Sequence, residues 1–347
     1  MVDEFECLFS VMLAIVLAHL IGAETVYWAA FTAFVLMRGQ FSETLLRGFL
    51  RLVGTAIGAA IALAIVPYAA RFLPLAIVSA AVVGAISLYG MLTARRAYAW
   101  LLFGLTFVMI LLDKLEHPDL DTIAFASTRM LEVTAGTVAC VSVSLLSKLS
   151  ARKWWPAPPA VPAQRVGWHP DAARHALQAG VAVGLVPVVH ALSNLPELEQ
   201  AGITIMAVMI VPVTALAAGG LAPVSTRLLH RMIGCLVGSV LALAILLMAN
   251  GSVPVLIAGT CLGILIGRHI ENGSAKMTYV GLQFTLAMLV VLVPDSYADV
   301  SIEPGMERLV SIFVGMGILV PVLLGWHVLW PVRGDAEPAA QSADPVE

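Results

Sequence analysis

One pattern of arginine and glycine occurs twice in this sequence and has residue types that bind organic anions. The copies are Arg47, Arg51, Gly54 and Gly58 and, 180 residues later, Arg227, Arg231, Gly234 and Gly238. Arginines four residues apart lie on one face of a helix, and a guanidinium group binds a carboxylate through two parallel hydrogen bonds. The four arginines either form a ring at the inner mouth of an anion pathway or anchor the helices at the cytoplasmic surface of a membrane.

The glycines of this pattern point to helix packing. Gly54 and Gly58, like Gly234 and Gly238, are four residues apart. This spacing of small residues lets two helices approach closely in lipid. It therefore predicts tight packing of the third and ninth apolar runs of the chain.

A second repeated arginine stands near the outer end of a predicted helix in each half. Arg129 and Arg308 are 179 residues apart, and both break the rule that basic residues collect on the cytoplasmic side. They either pair with the acidic outer loops, with Glu132 or with Glu307, or they form an exit site for anions. Glu132 lies inside an apolar run, where an ionisable group costs about 2.5–3.5 kcal/mol. It either carries protons or pairs structurally with Arg129.

Two histidines and one tryptophan complete the candidate residues. His19 and His190 each come late in the first span of a half, where an imidazole either titrates against an acidic exterior or has a structural role. Trp28 begins the second span, and it is either an interface anchor or a ring that stacks on an aromatic substrate.

The elements that must position these residues are membrane-spanning helices. The 347 residues are 60% hydrophobic and only 12% charged, which excludes ordinary soluble domains. A helix needs about 20 apolar residues to cross the hydrocarbon, so the length allows about a dozen spans. Twelve apolar runs can be counted, at about 7–23, 25–37, 52–69, 73–93, 98–112, 124–147, 175–193, 200–218, 232–249, 253–267, 277–294 and 308–330.

The distribution of charge predicts the orientation of these runs. If the path alternates from a cytoplasmic start, only Arg71, Lys114, Arg129 and Arg308 of the 19 basic residues fall on the outer side. This positive-inside bias predicts that both termini are cytoplasmic.

An internal repeat predicts the domain organisation. Besides the arginine and glycine pattern, the segment that starts at Tyr98 matches the one that starts at Tyr279, and the matches keep one order along both halves. We therefore expect two parallel six-helix repeats at residues 1–148 and 175–331, because six is an even number of spans. Residues 149–174 form a Pro-rich cytoplasmic linker, and residues 332–347 form a polar tail that is expected to be disordered.

The sequence also excludes several classes of protein. The four cysteines fall in separate apolar runs, so neither a disulfide framework nor a metal site is predicted. No phosphate-binding loop is present, and the net charge of −3 argues against nucleic acid. No cluster of His, Asp, Glu or Ser has catalytic spacing, so we expect neither a cofactor nor an enzyme.

These motifs resemble one protein family. Tyr27-Trp28-Ala-Ala-x-Thr32-Ala, followed by the element from Arg47 to Gly58 and by Arg129 with Gly136, is similar to the fusaric acid resistance (FUSC) and aromatic acid exporter family. The resemblance covers most of the first half. It implies efflux of aromatic or other weak organic acids across a bacterial inner membrane, driven by the proton gradient and often with a periplasmic adaptor of the membrane-fusion type. The six-helix unit also looks similar to plant aluminium-activated malate transporters, which are dimeric anion channels.

Three functions stay open at this point. The first is proton-driven export of small organic anions, such as aromatic carboxylates, between the two halves. The second is a passive anion channel, and the third is a membrane scaffold without a substrate. The expected partners are the organic anion and the lipid bilayer, with the periplasmic adaptor and a homo-oligomer left open.

Overall fold

A computed structural model describes residues 2–159, 167–193, 195–219, 221–295, 297 and 303–329. The regular elements within these ranges are helices, apart from turns and bends. In chain order they are α1 (Val2–Leu20), α2 (Val26–Leu36), α3 (Phe41–Ala69), α4 (Leu73–Thr93), α5 (Ala97–Glu116), α6 (Thr122–Leu149), a short 3₁₀ turn (Ala151–Lys153), α7 (Pro170–Ser193), α8 (Glu199–Val208), α9 (Val213–Gly219), α10 (Ala222–Ala249), α11 (Val253–Gly273), α12 (Thr278–Leu292) and α13 (Glu303–Leu329). The predicted tail, at residues 332–347, lies outside the described residues.

The length and apolarity of these helices confirm an all-α integral membrane protein. Among the described residues, eight helices are long and apolar enough to cross a membrane. Large apolar side chains such as Phe49 and Ile57 of α3 and Val237 of α10 are exposed on the outside of the bundle. In water this exposure would be costly, whereas in lipid it matches the solvent.

The eighth apolar run is not one helix, and this corrects the prediction of a continuous span at 200–218. The run divides into α8 and α9, with the non-helical residues 209–212 between them. Pro212 explains the division, because proline has no N–H to donate and disfavours helical geometry in the residue before it. Carbonyl groups at this break in the helix bond to side chains instead: Arg227 Nε donates to Ala207 O (3.0 Å), and His175 Nε2 lies 2.9 Å from Met209 O.

The repeated glycines pack helices closely, but each pair does so within its own half. A Cβ atom on Gly54 would stand 2.4 Å from the carbonyl oxygen of Ala99, so α3 lies directly against α5. In the second half, a Cβ atom on Gly238 would stand 2.6 Å from the carbonyl oxygen of Phe284, so α10 lies equally close to α12. The third and ninth runs are therefore each tightly packed, α3 against α5 and α10 against α12.

Replacing one of these glycines should destabilise the protein. In Gly58→Val or Gly238→Val the new side chain meets backbone of the neighbouring helix, which has no rotamer to move away. Overpacking of this kind costs roughly 1–3 kcal/mol. We expect a lower thermal midpoint and a smaller monodisperse fraction in detergent. Gly317→Val is the matched control, because nothing lies within 4 Å of a Cβ atom there, and equal losses in all three variants would contradict this account.

Several helix pairs join the two halves, among them α5 with α8 and the pairs that form two seams. At one seam α4 packs on α7, where Gly180 and Gly184 lie against the backbone and side chains of α4. At the other, α1 meets α11. Here Arg268 Nε lies 2.7 Å from Asp3 Oδ2, and Asp3 and Glu6 also pair with Arg152 after α6. The start of the chain, the first part of the linker and the end of α11 therefore share one face of the bundle.

The predicted orientation can be tested by chemical labelling. The linker packs on the turn before α3, since Gln40 Nε2 donates to Pro158 O (2.7 Å), so that turn lies on the same face. Single cysteines at Ser42, Ala94 and Ala157 should be protected from an impermeant thiol reagent in intact cells, whereas a cysteine at Asp119 should react. Labelling of Ala157→Cys from outside would contradict the predicted topology.

Candidate functional site

A central cavity lies between the two halves, and both halves contribute to its walls. Its volume is about 220 Å³. Helices α2, α3, α5 and α6 of the first half and α8, α10, α12 and α13 of the second supply lining residues. Seven of the side chains that the sequence singles out line it: Trp28, Arg51, Arg129, Glu132, Arg227, Arg231 and Arg308.

Three arginines surround one part of the cavity, and we call Arg51, Arg227 and Arg231 the inner arginines, after the predicted orientation. Arg51 Nη1 donates to the phenol oxygen of Tyr98 (3.0 Å). Arg231 donates to Gln283 Oε1 (2.7 Å) and to Thr204 Oγ1 (2.9 Å). The guanidinium of Arg227 lies over the ring of Tyr279, with 3.8 Å between the guanidinium carbon and the ring centroid. All the partners of these cations are neutral groups.

The inner arginines therefore carry charge that no carboxylate of the described residues neutralises. Among the described residues, no carboxylate lies within ion-pair distance of any of the three. Arg51 is 7% exposed and Arg231 4%, and the Nε atom of each is buried without a hydrogen-bond partner. A buried cation without a counter-ion is unfavourable, so this arrangement suits an anion that arrives from outside the chain.

Aromatic and aliphatic side chains of the first half form one wall of the cavity. Trp28 packs edge-to-face on Phe31, with 5.3 Å between the ring centroids, and both line the space. The indole Nε1 of Trp28 is buried without a partner. Leu101, Leu102 and Leu105 extend this surface. The wall can therefore accept a flat apolar group in the same cavity as the arginines.

A second group of charges lies at the other end of the cavity, and we call Arg129, Glu132, Glu197, Glu199 and Arg308 the outer charge cluster. Arg129 Nη1 donates to Glu132 Oε2 (3.1 Å), and Arg129 Nη2 lies 3.9 Å from Glu199 Oε2. Arg308 Nε lies 3.2 Å from Glu197 Oε2. Arg129 pairs with Glu132, which is one of the alternatives that the sequence left open, and Arg308 pairs with Glu197 in the acidic loop before α8. The exit-site alternative for these two arginines therefore needs their partners to release them.

Two short helices begin beside this cluster. α2 has 11 residues, or about 16 Å, and α8 has 10, so neither crosses about 30 Å of hydrocarbon. Glu132 Oε1 accepts a hydrogen bond from the backbone N–H of Thr25 before α2 (2.9 Å), and Ser311 Oγ accepts one from Ala201 in α8 (3.1 Å). In each half, a side chain of the last long helix thus caps the start of a short one, where the positive end of the helix dipole lies.

Three other candidate residues lie away from the cavity. Arg47 pairs with Glu43 (3.3 Å) and lies near the ring of Tyr98, outside the lining. His19 is exposed and packs beside the ring of Tyr297. His190 Nε2 lies 3.1 Å from the carbonyl oxygen of Leu115. The structure thus brings seven of the ten candidate pathway and coupling residues together and leaves these three outside.

Sequence reasoning missed several residues of the site. Tyr98 and Tyr279 were visible as part of the repeat, but their contacts with arginines were not. Gln283 is an amide in an apolar run, which is a signal of the same kind as Glu132. Glu199 reads as part of an acidic outer loop, yet it is 5% exposed and begins α8. No signal in the sequence placed it beside Arg129.

Comparisons with protein families agree with the motifs. A model described as the fusaric acid resistance protein family matches residues 5–160, and a model described as fusaric acid resistance protein-like matches residues 179–322. No curated protein and no solved structure matches the chain. The matched family is one of multi-pass membrane proteins that act in transport or efflux rather than as enzymes. The chain belongs to the fusaric acid resistance protein family.

Proposed function

We propose that this protein exports small organic anions, in particular aromatic carboxylates, from the cytoplasm across a bacterial inner membrane, driven by proton entry. The observation that carries the proposal is the set of inner arginines, which line the cavity without a carboxylate partner among the described residues; Arg51 and Arg231 are buried and Arg227 is half-buried. A substrate carboxylate supplies the missing counter-ion, and guanidinium groups bind it in a fixed geometry.

The rest of the cavity suits an aromatic ring attached to the carboxylate. A cavity of roughly 150 Å³ holds benzene, and this one, at about 220 Å³, has room for a ring with one small substituent. Trp28 and Phe31 offer ring faces and edges in the cavity that Arg51 also lines, and the guanidinium carbon of Arg129 lies 5.0 Å from the centroid of the Trp28 ring. Aliphatic monocarboxylates fill the same space less completely and should bind more weakly.

The energetics allow export without hydrolysis of a nucleotide. A membrane potential that is negative inside favours the exit of an anion by about 2.3 kcal/mol per 100 mV, and it favours proton entry by the same amount. A pH gradient adds to this only if the two movements are coupled. In the proposal, Glu132 provides the coupling, because it pairs with Arg129 in the outer charge cluster and both line the cavity.

A passive anion channel is the second candidate, and one observation favours it. Both carboxylate oxygens of Glu132 are already hydrogen-bonded, to Arg129 and to the N–H of Thr25, as in a purely structural ion pair. A channel would use the same inner arginines and would need only the membrane potential.

Transport measured in proteoliposomes separates the two functions. Purified protein is reconstituted, and uptake of labelled benzoate is followed with the membrane potential clamped at zero and a pH gradient imposed. We expect benzoate to accumulate against its own gradient, with proton movement in the opposite direction. Benzoate current without proton movement would identify a channel. Absence of any benzoate, malate or salicylate movement would contradict the proposed function altogether.

A further inference from the structure

The charges of the outer cluster do not balance. Arg308 is matched by Glu197, with 3.2 Å between Nε and Oε2. Arg129, in contrast, faces two buried carboxylates: Glu132 from its own helix at 3.1 Å and Glu199 from the second half at 3.9 Å. Glu132 is 0% exposed and Glu199 is 5% exposed. One guanidinium cation cannot neutralise two carboxylates, so one negative charge is in excess.

The surroundings add negative rather than positive charge. Glu199 Oε1 accepts from the amide of Gln200 (3.2 Å), but its Oε2 is buried without a hydrogen-bond partner. Arg308 is the further cation near the pair among the described residues, and it is already matched by Glu197. The other titratable groups that face it are Asp113 and Glu116 on α5, Tyr27 on α2, Glu197 and Asp295 in the loops, and Arg308 on α13.

Two carboxylates that share one cation repel each other, and a proton on either of them removes the repulsion. The proton then belongs to the pair rather than to one residue. This arrangement also joins the halves, because Glu132 is on α6 and Glu199 begins α8. Ser311, at the position of the second repeat that corresponds to Glu132, only caps α8, so Glu199 supplies the acid of the second half from a different helix.

We propose that Glu199 is a second proton-carrying carboxylate, and that it holds one exchangeable proton jointly with Glu132 across Arg129. The role of this proton in transport rests on the proposed function, whereas the sharing of the proton between the two carboxylates does not. A proton from the outer side forms an O–H bond on one carboxylate, and the other stays paired with Arg129. When this proton leaves toward the cytoplasm, both carboxylates are ionised and both pair with Arg129. Its N–H donors are then no longer available to a substrate carboxylate.

The backbone supports a defined position for the loop that carries these acids. Glu197 has φ +58°, a conformation that residues other than glycine rarely adopt, and its N–H donates to Glu116 Oε1 (2.8 Å). A strained residue persists only where its surroundings hold it in place. The loop is thus tied to the end of α5, which places Glu197 at Arg308 and Glu199 at Arg129.

The test uses infrared difference spectroscopy on the full-length protein in lipid nanodiscs, without any substrate. Spectra taken at about pH 5 and pH 8, the range in which proton-transfer groups are usually poised, report the C=O stretch of protonated carboxyl groups. Labelling with ¹³C-glutamate identifies the glutamate part of the signal in the wild-type protein, so the measurement does not depend on any variant folding. Glu307→Gln, an exposed neighbour of Arg308, is the matched control.

A shared proton predicts a non-additive result. Glu132→Gln and Glu199→Gln should each remove the whole buried glutamate band, because the remaining carboxylate is then matched one-to-one by Arg129. The double variant should look like either single variant, and Glu307→Gln should keep the band. A wild-type protein without such a band, or a Glu199→Gln spectrum equal to that of the wild type, would overturn the proposal. The proposal would also be overturned if each single variant lost only part of the band and the double variant lost the sum of the two parts.

Transport of benzoate in the same preparations separates this inference from the proposed function. Glu199→Gln should lose accumulation driven by a pH gradient and keep downhill exchange. If the band behaves as expected but the wild-type protein moves no carboxylate, the shared proton stands and the proposed export is wrong. If the wild-type protein accumulates benzoate and Glu199→Gln does so equally well, export stands and the role of Glu199 is wrong.

Discussion

Replacing Arg51 or Arg231 by glutamine should lower benzoate transport by about 10- to 100-fold while the protein keeps its normal abundance in the membrane. The range follows from the loss of a hydrogen bond to a charged group, which is worth about 1.5–3 kcal/mol, at about 1.4 kcal/mol per tenfold change. Initial rates of exchange over a range of benzoate concentrations are the measurement. We expect the loss mainly as a higher KM, because the carboxylate loses its counter-ion.

The two substitutions should not be equal. Among the described residues, Arg51 donates one hydrogen bond, to Tyr98, whereas Arg231 donates to both Gln283 and Thr204. A guanidinium group has five N–H donors, so Arg51 keeps more of them for a ligand. Its removal should therefore cost more. Lysine should restore only part of the activity at either position, because an ammonium group cannot form two parallel hydrogen bonds with one carboxylate.

Arg95→Gln is the matched control, since Arg95 is exposed and is not among the residues that line the cavity. It should transport like the wild-type protein. If Arg51→Gln and Arg231→Gln instead disappear from the membrane, these arginines anchor their helices, which is the alternative that the sequence left open. Normal abundance with normal transport would remove the inner arginines from the mechanism.

The repeat made much of the site predictable. Arg51 with Arg231 and Arg129 with Arg308 occur at equivalent positions of the two halves, and a pseudo-twofold arrangement brings equivalent positions to one axis. The cavity contains all four. Arg47 has the same sequence signal as Arg51 but pairs with Glu43 outside the lining. One turn of helix separates the two arginines, and periodicity alone does not say which of them faces the axis.

The parts that could not be predicted depend on contacts between distant segments. Glu199 becomes a buried residue only because the loop before α8 folds inward and is held by Glu116. The close partner of Gly54 could not be read from its spacing, since small residues indicate that a helix is approached but not by which neighbour. Pro212 was a signal that the eighth run divides into two helices. The apolar residues on both sides of this proline nevertheless favoured one continuous span.

Glu132→Gln is the variant that should separate coupling from transport. Glutamine keeps an oxygen that accepts from the N–H of Thr25, so the cap of α2 survives. It cannot ionise, and Arg129 is then left with Glu199 at 3.9 Å as its remaining carboxylate. A gradient of one pH unit is worth about 1.4 kcal/mol per proton, which supports about tenfold accumulation at zero potential. The wild-type protein should reach this ratio, and Glu132→Gln should only equilibrate benzoate.

Downhill exchange of benzoate should continue in Glu132→Gln, because the inner arginines are intact and a neutral side chain no longer competes for Arg129. The pH dependence of that exchange should also become flatter. Asp119→Asn, which removes an exposed acid from the loop between α5 and α6, should leave accumulation unchanged. A Glu132→Gln protein that still pumps with the wild-type pH dependence would make Glu132 a structural partner of Arg129. Proton coupling would then have to be sought outside the cavity, first at His19 and then at His190.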